Sequence, residues 1–469
     1  MESKKISNST LINGVALGFS VAFLISSLIA AVYTHEVGNI LHGWYLIMTS
    51  PSPLVTDYLE IGGLPSAMLN AGACGMACWA FMVGLKGESR PSTLAGYFLV
   101  VAHCFYGLNF LTMWPCFLAP FLYLHLKKLD FKSNLHVCMF TTSFGPFIGE
   151  LLFRYTQDTF VFGHPTLTIS GVLLAIAFSV MLGFIVPAIL PGAHAWHKGY
   201  NLYNGGLFNF FYNTMGIDPA SKLTRFNPVY EQFGHSFQLY ANCFFLIVFG
   251  ICILTGFFLN GKSFDGYEEL TRDTGYQSDF ATKYSMPVCL INIGTVGLFF
   301  MFYLDIIMVY TKGAGFTGAT IGVILAALTF TCMGQHPGNI WPILAGYQLL
   351  YLFTLTICYI NDREISWTIT TQGYINAVAF ATGLCPISGR YGRRAGMAAG
   401  FMCASMCAAT SALHGGLVLY NGGFTSGITA LILLPILEHY IPKTRDFMNN
   451  KKLNKEDMIA IVETFKRHD

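Results

Sequence analysis

Two stretches decide the reading of this chain: His197-Lys-Gly-Tyr-Asn-Leu-Tyr-Asn-Gly-Gly206 and His414-Gly-Gly-Leu-Val-Leu-Tyr-Asn-Gly-Gly423. Seven of their ten positions are identical. Other landmarks recur in the same order. Asp57, Pro65, Asn70, Gly72 and Gly75 return as Asp279, Pro287, Asn292, Gly294 and Gly297, each 222 residues later. Gly107 and Trp114-Pro115 return as Gly334 and Trp341-Pro342 at an offset of 227, and Pro146-x-x-Gly149 returns as Pro386-x-x-Gly389 at an offset of 240. Self-similarity of this kind is the mark of an internal duplication. It defines tandem repeats over 10–216 and 234–442, followed by a charged tail at 443–469.

Composition says what kind of unit is repeated. The chain has 469 residues, 54% hydrophobic and only 11% charged, against about 25% charged in ordinary soluble proteins. Mean hydropathy is +0.54. Long apolar runs recur from end to end, and they are continuous rather than alternating. A spanning helix needs about 20 such residues, and only helices or closed barrels satisfy their backbone in lipid. The chain therefore reads as an all-α, multi-pass transmembrane protein. A soluble globular enzyme, a disordered chain, a β-barrel and a nucleic-acid binder are excluded.

Spanning candidates in the first repeat are 11–33, 63–85, 92–109, 110–126, 166–190 and 196–215, and in the second 235–259, 286–308, 317–334, 339–358, 395–415 and 418–440. The first run is too long for a signal-peptide core and reads as a retained helix. Shorter segments carrying Pro-x-x-Gly, 134–153 and 368–389, read as re-entrant. Each repeat thus holds about six spanning helices plus one re-entrant segment. Basic loop residues mark the cytoplasmic side. The loop 34–62 has no Lys or Arg and goes outside; both termini and the connector 217–233 go inside. Keeping Arg390, Arg393 and Arg394 inside favours an even number of crossings per repeat, hence parallel repeats. The inverted arrangement is the alternative, and transporters use both. In the tail, Met458, Ile461, Val462 and Phe465 share one helical face, which suits the membrane surface.

The chemistry concentrates in the repeated motif. Paired glycines weaken a helix and bare its backbone, which is tolerated in the membrane only against protein or a water-filled cavity. His197, Tyr203, Asn204, Gly205 and Gly206, with His414, Tyr420, Asn421, Gly422 and Gly423, are therefore the candidate solute-binding residues. Close packing of small residues is the bland alternative. Glu150 and Arg390 occupy equivalent positions after the Pro-x-x-Gly glycines, and a buried charge needs a partner. They are expected to pair across the pseudo-symmetry axis and join the site. His103 and His336 read as core or interface histidines. Cys74/Cys78 and Cys403/Cys407 lack the His or carboxylate neighbours of a metal site. No P-loop, nucleophile elbow or H-E-x-x-H is present, so no cofactor, metal or catalytic group is assigned and a non-enzyme is favoured.

At these motifs the chain resembles a bacterial family of multi-pass membrane proteins of unknown function, which implies a cytoplasmic (inner) membrane location. Gly416-Leu417-Val-Leu-Tyr420-Asn421-Gly422 and Gly199-Tyr-Asn-Leu-Tyr203-Asn204-Gly205 are also similar to the Gly-Leu-x-Gly-Tyr-Asn-Gly pore pattern of urea transporters. That resemblance implies a duplicated pore for a small neutral polar solute, built from inverted halves. The expected function is a transporter or channel for a small polar solute at the repeat interface. A membrane-embedded enzyme or a structural membrane protein is the alternative. The expected partners are the lipid bilayer and the solute, with a homo-oligomer compatible.

Overall fold

The computed structural model describes residues 6–51, 56–85, 88–157, 161, 163–203, 237–313, 315–410 and 421–441. The described residues are helical and build the same unit twice. In the first repeat the helices are α1 (Asn8–Tyr33), α2 (Ile40–Thr49), α3 (Tyr58–Gly84), α4 (Pro91–His103), α5 (Met113–Leu126), α6 (Leu135–Thr141), α7 (Gly145–Phe153) and α8 (Ile169–Trp196). In the second they are α9 (Gln238–Leu259), α10 (Tyr267–Thr271), α11 (Phe280–Lys283), α12 (Met286–Thr311), α13 (Gly318–Ala326), α14 (Pro337–Ile360), α15 (Gln372–Ala381), α16 (Cys385–Tyr391), α17 (Arg393–Thr410) and α18 (Asn421–Tyr440). Among the described residues, eight stretches are long and apolar enough to cross a membrane.

The repeated residues do the same work in both copies. Asp57 caps α3 and Asp279 caps α11, each accepting a backbone N–H with its carboxylate. Gly72 brings α3 against Leu24 of α1, and Gly294 brings α12 against the Phe249 carbonyl of α9; a methyl group at either would clash. Asn70 donates from Nδ2 to the carbonyls of Cys104 and Leu108, both at 2.9 Å. Asn292 donates in the same way to Thr331 and Gln335, at 2.8 and 2.7 Å. These asparagines serve carbonyls freed where the chain turns after α4 and after α13. Gly107 and Gly334 sit at those turns with φ of +159° and +137°.

The repeats are related by an antiparallel, not a parallel, arrangement. Tyr240, near the start of α9, bonds Ser26 and stacks beside Tyr33, late in α1. Phe244, one turn on, stacks on Phe23. At the other end, Asn8 at the start of α1 donates to the carbonyl of Ala281, just ahead of α12. The equivalent helices α4 and α13 repeat the pattern: Gly318 meets Phe105, and Gly322 meets Ala102. Equivalent helices that cross head to tail require an axis perpendicular to them, which is the inverted-repeat arrangement.

The expectation of parallel repeats fails because of where the chain turns back. The Pro-x-x-Gly segments are not re-entrant. Each is a helix, a tight 3-10 turn and a second helix (α6 to α7, and α15 to α16) that together run from one end of the molecule to the other. Leu135 lies beside Ser89 and Thr93, whereas Gly163, beyond α7, lies against Leu46. In the second copy Gln372 accepts from Thr317, while Gly389 packs on Thr274. The short helices are instead α4 and α5, and α13 in the second copy, whereas α14 with 24 residues is long enough to span. The 13 residues of α4 and the 14 of α5, at about 1.5 Å each, are short of a hydrocarbon core of about 30 Å.

This places the loops. The near end, where α1 begins, carries Arg90, Lys127, Lys128, Lys198, Lys262, Arg272, Lys283, Arg390, Arg393 and Arg394; the far end carries Arg154, Lys312 and Arg363. The connector 217–233 and the charged tail lie outside the described residues.

Candidate functional site

At the near end a cavity of about 480 Å³ lies between the two repeats. The first repeat contributes Ser92, Leu99 and His103 from α4, His136 and Phe140 from α6, Val186, Leu190 and His194 from α8, and the segment from Gly199 to Tyr203. The second contributes Gln277, Ser278 and Asp279, then Thr329, Phe330 and Met333 after α13, with Phe380 of α15 and Gly423 of α18. The mouth is polar and the floor aromatic: the Tyr203 ring stands edge-on to Phe330 and Phe380, with centroids 4.8 and 5.0 Å away.

The segment after α8 is where the repeated motif enters the site. The helix ends at Trp196, and Lys198 and Gly199 take positive φ of 51° and 77°. The chain then crosses into the second repeat. Leu202 donates its N–H to the Gly383 carbonyl at 3.0 Å. The Tyr203 hydroxyl donates to the Ala326 carbonyl at 2.7 Å, and Thr329 donates to the same oxygen at 2.7 Å. Ala326 is the last residue of α13, so these hydroxyls satisfy a carbonyl that the helix end leaves open. Close by, the buried Gln335 donates to Thr382 at 2.6 Å.

The sequence-derived candidates divide three ways. Tyr203 and Gly423 line the one cavity. Gly422 packs against Ala377 and Phe380 without lining it, and His197, fully buried, supports the segment by accepting the Asn201 N–H at Nδ1. Asn421 opens α18. Asn204, Gly205, Gly206, His414 and Tyr420 lie outside the described residues. Glu150 and Arg390 stand away from the cavity wall, and among the described residues no ion pair joins them. Glu150 is paired one turn along its own chain with Arg154, at 2.7 Å and with both side chains 7% exposed. Arg390 lies over the rings of Tyr276 and Tyr200, 4.1 and 5.6 Å from their centroids. A close intrahelical partner outcompetes a distant symmetry mate, and a guanidinium over an aromatic face already has a favourable neighbour.

The residues that sequence reasoning did not assign to the site are the imidazoles. His103, His136 and His194 all line the cavity. His103 makes a 2.7 Å contact with the Leu99 carbonyl through Nδ1. A carbonyl can only accept, so Nδ1 carries the proton and Nε2 is left as an acceptor. The signal was present in the repeat comparison. At the established offsets His103 faces Phe330, His136 faces Asn376, and His194 faces Ser411. Among the described residues the lining contains no Lys or Arg, and Asp279 is its one carboxylate, which already accepts from the backbone and hydroxyl of Thr282.

The loop at the mouth is braced by a second carboxylate. Asp273 accepts from Lys283, from Tyr284 and Ser278 at 2.8 Å each, and from the Gly275 N–H at 2.8 Å. Burial pushes its carboxyl up, but these bonds outweigh burial and hold it below the usual carboxylate range. On the other side of the mouth the exposed Lys198 ammonium meets Glu438 at 2.6 Å, and that carboxylate raises its pKa.

Duplicated membrane helices around an interfacial cavity define a polytopic membrane protein with inverted repeats. Residues 36–215 and 259–439 each match the model of one family, a protein of unknown function (DUF1576), and the chain belongs to that family. No curated protein and no solved structure matches the chain.

Proposed function

We propose that this protein is a transporter or channel that carries a small, neutral polar solute across the bacterial cytoplasmic membrane. The observation that carries the reading is the cavity shared by both repeats, walled by hydroxyl, amide and imidazole groups among apolar side chains and, among the described residues, free of Lys and Arg. Pockets of this kind hold small molecules by an apolar surface with a few placed polar groups. Transporters built of inverted repeats hold their solute at the repeat interface. The inverted relation is also what the resemblance to urea transporters implies.

The test is solute flux in proteoliposomes, followed by vesicle swelling with a panel of small amides, polyols and ions. Uptake of neutral solutes above empty vesicles is expected, and Leu99→Trp, which fills the cavity, should abolish it. Failure of every neutral solute to move would sink the proposal. A membrane-embedded enzyme is the second reading, and the three imidazoles favour it, because they break the two-fold symmetry that a pore would keep. That reading predicts turnover of a small substrate without flux.

A further inference from the structure

The cavity reaches the pseudo-two-fold axis. His103 and Phe330 are equivalent by the offset of 227, Phe140 and Phe380 by the offset of 240, and both members of each pair line it. Two residues exchanged by the axis can share one chamber only if the chamber lies across that axis. Its outer half is therefore built from Ser92, His136, Met333 and Asp279, whose equivalents are Ala319, Asn376, Tyr106 and Asp57. These four lie toward the far end, where Asp57 accepts the Gly318 N–H at 2.9 Å.

The two halves differ in one respect. The near half is open, while Ala319, Asn376 and Tyr106 are at most 1% exposed. Two polar atoms are caught in the closed half without a hydrogen-bond partner, the Tyr106 hydroxyl and Asn376 Nδ2. A buried polar atom left unpaired costs about 1–3 kcal/mol. A packed wall would do better with Phe and Leu at these positions. The expense is explained if the same atoms meet water and solute in another state.

We propose that Asn376 and Tyr106 line a second vestibule, closed in this conformation, that opens to the far end while the near cavity shuts. The protein then works by alternating access, and the second vestibule takes the same neutral, hydrogen-bonding solute. This rests on the transport reading above. It goes further by excluding a continuously open pore. Exchange of conformation between the inverted repeats supplies the motion, with the aromatic floor of Phe330 and Phe380 as the fixed divide.

The experiment uses the full chain with its native cysteines in sealed, sided vesicles. A membrane-impermeant maleimide is applied from each face, and labelled peptides are read by mass spectrometry. Ser92→Cys should label from one face. Ala319→Cys should label only from the opposite face, slowed about ten- to thousand-fold if the second state is the minor one. Tyr106→Phe should keep or raise thermal stability while lowering flux, since the hydroxyl it removes has no hydrogen-bond partner in this state. Labelling of Ala319→Cys from neither face, or from the same face as Ser92→Cys, overturns the proposal. Flux in that case would leave the transport reading standing. Two-sided labelling without flux of any solute would support the second vestibule and reject transport.

Discussion

The two asparagines at the turns after α4 and α13 show how much one side chain holds. Asn70 and Asn292 are fully buried, and each amide serves two carbonyls. Asn292→Ala leaves the Thr331 and Gln335 carbonyls unpaired, which should cost about 1–3 kcal/mol per group. Thermal unfolding in detergent should show it, with Asn70→Ala comparable. The ion pair of Glu150 with Arg154 gives a sharper contrast. Breaking a buried pair by removing one partner costs about 3–5 kcal/mol. In a double-mutant cycle Glu150 should couple to Arg154, and Glu150 with Arg390 should be additive. Coupling to Arg390 would restore the pairing that the repeat alignment suggested. That alignment was legible because the asparagines, aspartates and glycines have duties set by local backbone, which both copies share. It misread Glu150 because an i,i+4 neighbour is invisible to a comparison between repeats.

Among the elements, the loop that closes the mouth depends on Asp273, whose four donors come from its own loop, while its carbonyl meets His336 Nε2 at 2.9 Å. Its folded pKa is depressed below the ordinary value of 3.8. The stabilisation is therefore present above that value and is lost as pH falls through the folded pKa. Melting temperature in detergent should drop more steeply below pH 4 than in Asp273→Asn, which should already be destabilised at pH 7. An identical acid profile for the two proteins would remove Asp273 from the account. The crossing helices were readable as long apolar runs. The shortness of α4 and α5 was not, because 92–109 and 110–126 are uncharged, largely apolar runs of spanning length and hydropathy does not register where a helix stops. The Pro-x-x-Gly segments misled in the opposite sense: proline at the first turn of a helix starts it without breaking the path, as Pro146 and Pro386 do.

For the whole molecule, the consequence is topology. The loop at 260–285 should lie on the same side as Arg90 and Arg390, and the loops around 34–51 and 361–366 on the other. Engineered cysteines at Ser263 and Gly38, probed with an impermeant reagent, should label from opposite faces. Labelling from one face would refute the inverted arrangement. The duplication was legible in the sequence, but its hand was not, since the number of crossings turns on which short segment returns.

Antiparallel halves also carry a statement about descent. A unit that pairs with its own upside-down copy had to enter the membrane both ways before the two were joined, which needs loops with almost no charge bias. Fusion removes that need, and each half is then free to acquire basic residues that fix its own direction. The loops of this chain differ in the way that such a divergence would leave them. Lys127 and Lys128 follow α5, yet the equivalent loop after α14 keeps only Arg363; Arg390, Arg393 and Arg394 follow the second Pro-x-x-Gly segment, whereas the first has Arg154 bound to a carboxylate. The halves have become opposite in charge placement while staying alike in fold, as two genes inserted in opposite orientations would be driven to do.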